Sequence, residues 1–218
     1  MAKDHRNYQN KLPSVTTILG VLRKIGLEFW YKNNTIKFIN DAMNKGRTIG
    51  TDTHEAISNY ILTGEAKIET EWADEVSNAL KSFMLFRKEN PDLKLTLSEE
   101  KLTSKLYGFN GTIDAPCPPL LFDWKSAEKK DNDKPPIYDE AKYQTAAYTY
   151  LWNENNPDSL IDTVYIVAIA KDAVAYNMYK MDKKEIDNCF NKVFLPCLSI
   201  YNYKKKGETN DLFNADGK

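Results

Sequence analysis

No apolar run in the 218-residue sequence approaches the roughly twenty residues that a bilayer-spanning helix needs, and Met1-Ala2-Lys3-Asp4-His5-Arg6 lacks the apolar core of a secretion signal. The expectation is a cytoplasmic protein, in a bacterial or phage-infected cell, with no membrane partner. Cysteine is scarce: Cys117, Cys189 and Cys197 are odd in number and lack metal-finger spacing, which argues against a disulfide framework and a zinc ribbon. A glycine-rich phosphate loop and a Ser-His-Asp pattern are both missing, so P-loop and serine-nucleophile chemistry have no residues to perform them. Positive charge is not in excess either. Thirty Lys and Arg oppose 31 Asp and Glu, a formal net of -1, so phosphate contacts would have to come from local runs. Histidine is limited to His5 and His54.

What is present is concentrated in the middle of the chain. Gly111-Thr112-Ile113-Asp114 is followed by a proline-rich stretch, Ala115-Pro116-Cys117-Pro118-Pro119, and then by Leu121-Phe122-Asp123-Trp124-Lys125-Ser126. Successive side chains of a strand point to opposite faces, so Asp123 and Lys125 project together while Trp124 points away. Proline cannot continue a central strand, because it has no amide donor. The pattern predicts two strands joined by a tight turn, with Asp114 brought beside Asp123. Two carboxylates and an ammonium suit Mg²⁺ or Mn²⁺, which prefer oxygen ligands and are commonly held by one or two carboxylates plus substrate phosphate.

Five ordered elements resemble the PD-(D/E)XK nuclease superfamily, and within it the RecB-like exonucleases that include phage enzymes and the mitochondrial genome maintenance exonuclease. They are Leu12-Pro13-Ser14-Val15-Thr16-Thr17-Ile18-Leu19, Gly50-Thr51-Asp52-Thr53-His54, Gly111 to Asp114, Asp123-Trp124-Lys125-Ser126, and Gln144 with Tyr148. The resemblance implies that Asp114, Asp123 and the Trp124 carbonyl hold the metal and that Lys125 is the catalytic lysine. It further implies that His54 is an additional ligand, that Gln144 and Tyr148 support the site or the DNA strand, and that a glutamate upstream of Asp114 reaches the metal. Glu100 is taken over Glu99 for that last role. Some members hold an iron–sulfur cluster on four cysteines, which three cannot supply, so no cluster is expected.

Individual positions also admit plainer readings. Thr53 to Leu62 reads as a helix with His54, Ile57, Ser58 and Ile61 on one stripe, where a core histidine satisfied by backbone competes with a metal ligand. Gln144 and Tyr148 lie one turn apart on a helix expected from about Tyr138 to Trp152, and a glutamine among the alanines of the presumed buried side needs a partner for its amide. Arg23, Lys24, Lys32, Lys37, Lys45 and Arg47, interleaved with Phe29, Trp30, Tyr31 and Phe38, suit a single strand with stacking bases or an ordinary amphipathic helix. Lys129 and Lys130 follow the catalytic strand in a polar loop. Arg47, Lys129, Lys130 and Tyr148 are the expected DNA contacts.

Length suits a single domain over 1–218. Its parts are a mainly helical stretch over 1–90, broken near Thr63 to Glu69, an α/β core over 91–206 and a flexible tail over 207–218. Leu93 to Glu100, with its alternation, is read as a strand beside the one bearing Asp114. Asp162 to Ala170 and Ala173 to Met181 are further strands, and Asp182 caps a final helix bent at Pro196. The fold class is α/β, a mixed sheet flanked by helices in a restriction-endonuclease-like core. The expected activity is a metal-dependent DNA nuclease, an exonuclease on single strands or ends. An endonuclease of the same superfamily and a non-catalytic nuclease-fold module binding DNA or protein are the alternatives.

Overall fold

The computed structural model describes residues 12–22, 25–130 and 133–215, with backbone alone for residue 25 and for 206–215. Helices α1 (Val15–Leu19), α2 (Ile25–Lys32), α3 (Ile36–Thr63) and α4 (Ala73–Glu89) precede strands β1 (Glu100–Ser104), β2 (Phe109–Ile113), β3 (Ala115–Cys117) and β4 (Leu120–Ala127). Then come α5 (Asp139–Asn155), β5 (Thr163–Ala170), β6 (Tyr176–Met181), α6 (Lys183–Cys189), a π-helical turn Phe190–Phe194 and α7 (Leu195–Ala215). Among the described residues, β1 and β2 form a two-stranded sheet and the others a four-stranded sheet in the order β3-β4-β5-β6. The pair β4–β5 is parallel and its neighbours are antiparallel, so the sheet is mixed, as the strand and helix order predicts.

A parallel pair needs a crossover, and α5 provides it between β4 and β5. Alternation then sorts the core into two layers. Leu121, Val164 and Ile166 face a cluster with Ala147, Tyr148 and Leu151 of α5 and with Phe190 and Phe194. Phe122, Trp124, Val167 and Ile169 face the other side, against Ile57 of α3 and Phe83 and Phe86 of α4. The Trp124 ring meets Phe83 and Phe86 edge-on at centroid distances of 5.1 and 5.6 Å. Strands buried on both faces read as near-continuous apolar runs, which is why Asp123 and Lys125 stand out in β4.

Several expected boundaries shift for physical reasons. Leu93 to Ser98 has no regular structure, and β1 starts only at Glu100. The alternation there reflects a segment that buries Leu95 against the α4 side of the core while Arg87 Nη1 donates to the Leu93 carbonyl. Ala115 to Cys117 does join the sheet, with Pro116 opposite Leu121, but as an edge strand where a missing amide is tolerated. The C-terminal helix runs on to Ala215 through the stretch expected to be a tail. Asp182 caps α6 by accepting the Glu185 amide at 2.8 Å, and the π-helical turn ends at Phe194, two residues before Pro196, whose ring would clash with an ordinary helical carbonyl four residues back. Arg23, Lys24, His5 and Asp131-Asn132 lie outside the described residues.

Candidate metal centre

Asp114 is the junction between the two sheets. Continuing the β3–β4 register by one residue sets it opposite Asp123, and continuing the β1–β2 register sets it opposite Glu99. Its side chain replaces the next rung of the β3–β4 ladder, with Oδ2 accepting the Trp124 amide at 2.8 Å. On the other side its carbonyl accepts the Glu99 amide at 3.0 Å and the Ser98 hydroxyl at 2.9 Å. Glu99 sits at φ 56°, in the left-handed region that non-glycine residues seldom adopt. That turn of the backbone brings Glu99, rather than Glu100, to the cluster. The structure thus gathers Glu99 with His54 and Asp114 where the expectation named its neighbour Glu100, a shift of one residue in register.

His54 closes the arrangement from α3, which passes close to the end of β4: a Cβ on Gly50 would lie 3.8 Å from Ser126 Oγ. His54 Nδ1 is 3.4 Å from both Glu99 Oε1 and Asp114 Oδ1. One ligand atom from each of His54, Glu99 and Asp114 falls within 4.8 Å of the others. Burial disfavours a charged imidazole here, but the Asp114 and Glu99 carboxylates outweigh it and hold His54 up to about 10. Burial likewise opposes ionisation of Asp114, while His54, Lys125 and the Trp124 amide together hold it below the ordinary carboxylate range.

Asp123 and Lys125 lie beside this trio on one face of β4. Lys125 Nζ is 2.6 Å from Asp123 Oδ2, yet neither oxygen of this carboxylate, 1% exposed, has a partner of good hydrogen-bonding geometry. Burial, partly offset by Lys125 and reinforced by the charge on Asp114, pushes Asp123 up to about 6. Burial alone would lower Lys125, but the Asp123 and Asp114 carboxylates keep it above its usual value. The Lys125 ammonium offsets part of the cost of burying this carboxylate, and each carboxylate has further lone pairs that a second cation can use. Carboxylate oxygens with one imidazole nitrogen suit a hard divalent ion, so the residues present fit Mg²⁺ or Mn²⁺.

Gln144 and Tyr148 border the site from α5. The Gln144 amide donates to the Tyr148 hydroxyl at 2.8 Å, and among the described residues no hydrogen bond joins it to Lys125. Burial raises the Tyr148 phenol above its usual pKa. The ring lies against Gly111, where an added Cβ would stand 2.9 Å from Tyr148 Cε1 and 2.7 Å from Leu151 Cδ2. Glycine lets α5 approach β2 this closely. Gly111→Ala should therefore destabilise the fold by about 1–3 kcal/mol; an unchanged urea midpoint would show that α5 shifts freely.

The expected DNA contacts divide. Arg47 is exposed on α3. Lys129 Nζ is engaged by Asp133 at 2.6 Å, and Lys130 Nζ stands 5.3 Å from the centroid of the Tyr138 ring. Lys45, in the same basic stretch as Arg47, pairs with Glu75 at 2.8 Å and covers the Trp72 ring. The Leu12–Leu19 element serves the fold: Ser14 caps α1, and the Pro13 carbonyl accepts the Asn110 amide of β2 at 2.9 Å. Glu99 is the member of the cluster that the sequence reading did not choose, although the adjacent Glu99-Glu100 pair did mark the neighbourhood.

No protein-family model and no curated protein matches the sequence. Among solved structures, a putative exonuclease from Eubacterium rectale is 11% identical, with 69% of this chain and 68% of that chain covered and a TM-score of 0.47. A phage-related exonuclease from Haemophilus somnus 129PT is 14% identical over 72% of this chain and 82% of that chain, with a TM-score of 0.38. LHK-Exo, an alkaline exonuclease from Laribacter hongkongensis, matches as its complex with dAMP at 12% identity over 74% of this chain and 92% of that chain, with a TM-score of 0.37. The chain is thus similar, at low identity, to proteins described as exonucleases.

Proposed function

We propose that this protein is a divalent-metal-dependent deoxyribonuclease that hydrolyses phosphodiester bonds, acting as an exonuclease on single strands or DNA ends. The observation that carries this reading is the convergence of His54, Glu99 and Asp114 beside the buried Asp123 carboxylate and its ion-pair partner Lys125. His54, Glu99, Asp114 and Asp123, with the Trp124 carbonyl, would hold Mg²⁺ or Mn²⁺. When bound, such an ion polarises the phosphoryl group and lowers the pKa of water.

The chain's own residues supply the rest. Asp114 and Asp123 set a negative floor opposite the substrate phosphate, which restricts productive binding to the metal-loaded site. Lys125 keeps its proton on Nζ, orients the attacking water and offsets charge that builds on the phosphate oxygens. Gln144 holds the Tyr148 hydroxyl beside the site, where the pair positions the strand.

The test is degradation of end-labelled linear single- and double-stranded DNA, with closed circular DNA alongside, in Mg²⁺, Mn²⁺ and EDTA. Metal-dependent loss of the linear forms alone is expected. Glu99→Gln should lower kcat about a hundredfold, whereas Glu100→Gln should stay within about twofold of wild type. Cutting of the circle would move the assignment to an endonuclease. Retained DNA binding with no cleavage in either metal would leave a binding module in place of an enzyme.

A further inference from the structure

α3 is one uninterrupted helix of 28 residues, and His54 shares its direction with a line of residues leading back to the helix start. At 3.6 residues per turn, positions seven, eleven and eighteen before His54 fall within about 20° of it. Those positions are Arg47, Met43 and Ile36. All three are exposed, Ile36 at 78% and Met43 at 41%. Tyr31 of α2 donates its hydroxyl to Met43 Sδ at 3.5 Å and so adds an aromatic ring, 38% exposed, to the same stripe. Phe38 falls on the opposite side of α3, where it meets Trp30 at 6.2 Å and lines a separate groove with Trp72. Residues 25–47 carry four basic and two acidic side chains in a chain whose net charge is -1.

We propose that a single DNA strand runs along this stripe from Ile36 to His54, resting unstacked bases on Ile36, Met43 and Tyr31 and a phosphate on Arg47. The proposal rests on the nuclease reading of the metal centre and names the form of substrate that reaches it. Three exposed apolar side chains and one cation suit the faces of unpaired bases, which a duplex keeps inside its stack, while the duplex exterior is dominated by phosphates. The local excess of positive charge, even with Lys45 paired to Glu75, suits a polyanion, the exposed apolar side chains suit the bases of an unpaired strand, and the continuity of α3 joins the stripe to the site. From Met43 to His54 the helix rises about 16 Å, and from Ile36 about 27 Å. At the 3.4 Å spacing of stacked bases these distances correspond to about five and about eight nucleotides. The strand is thus gripped several nucleotides from the bond that is cut.

Binding of fluorescein-labelled oligothymidylates of four, eight and twenty residues, and of a twenty-base-pair duplex, is measured by anisotropy in EDTA, and cleavage of the same set in Mn²⁺. In wild type, affinity should rise at least about tenfold between four and eight nucleotides, with the duplex weaker than the twenty-mer, since each stacked base contributes measurably. The double variant Ile36→Ser, Met43→Ser should lose that length dependence in both Kd and KM, with sedimentation and melting unchanged. Arg47→Gln should reduce the salt dependence of binding by about one phosphate contact. Length-dependent binding without cleavage would sink the nuclease reading and leave this one standing. Cleavage with no length dependence, or a wild-type oligomer that dissociates in the double variant, would overturn the strand path, the latter by making the face an interface between copies.

Discussion

Lys125→Ala is expected to lower kcat by about two to three orders of magnitude, the scale on which removal of one preorganised charge at a developing anion is felt. KM should change far less, because the ammonium acts on charge that builds during the reaction. The substitution also strips Asp123 of the ammonium 2.6 Å away and leaves a buried carboxylate without its ion-pair partner. Breaking such a pair costs on the order of 3 kcal/mol when one partner keeps its charge. Lys125 is 30% exposed, so solvent discounts that figure. The loss should depend on pH with a definite sign. Asp123 stands above its unfolded value, at about 6, so its protonated form is the one the fold favours. In metal-free variant protein the destabilisation should therefore be small near pH 4–5 and grow as pH rises through 6. Thermal melting across that range in EDTA, beside single-turnover kinetics in Mn²⁺, separates the two effects. Full activity in Lys125→Ala would remove the lysine from the mechanism.

The second large effect is on metal affinity. A ligating imidazole must be neutral, yet in the metal-free site His54 retains its proton up to about 10. Metal binding through His54 would therefore displace one proton through the neutral and mildly alkaline range. The apparent affinity for Mn²⁺ should tighten about tenfold per pH unit from 7 to 9, and more steeply below about 6, where Asp123 must also lose its proton. Calorimetric titration in buffers of different ionisation enthalpy measures the released proton directly. His54→Gln should flatten the slope above pH 7. A wild-type affinity independent of pH would exclude His54 as a ligand. In EDTA the same imidazolium supports the fold. Its pKa lies above the unfolded value, so its contribution is complete below about pH 6.5 and lost as pH climbs toward about 10.

Much of this arrangement is legible in the sequence, for reasons that differ from residue to residue. The period of two in β4 made Asp123 and Lys125 neighbours on one face, and the prolines after Asp114 forced the chain to turn back, so Asp114 could only return near Asp123. The helix carrying Gln144 and Tyr148 was visible as a long span without proline or glycine. Glu99 was not legible in the same way. A single residue at φ 56° changes which of two adjacent side chains faces the cluster, and no pattern of apolar spacing records that. The Leu93–Ser98 segment misled because its apolar residues alternate in sequence, whereas only Leu95 of its three leucines is buried and Leu97 is exposed.

Composition and periodicity by themselves determined the class of the fold, the mixed sheet, and the short list of polar residues that an otherwise apolar strand pair would have to accommodate. These are local properties, set by side-chain direction and by proline's missing amide. The tertiary structure decided which groups meet. His54 comes from a helix some sixty residues before Asp114, Gln144 turned to Tyr148 rather than to Lys125, and Lys129 turned to Asp133. Such contacts depend on how closely layers pack, as at Gly111, and on backbone turns of one residue, which local sequence pattern leaves open because it constrains direction along an element and not distance between elements.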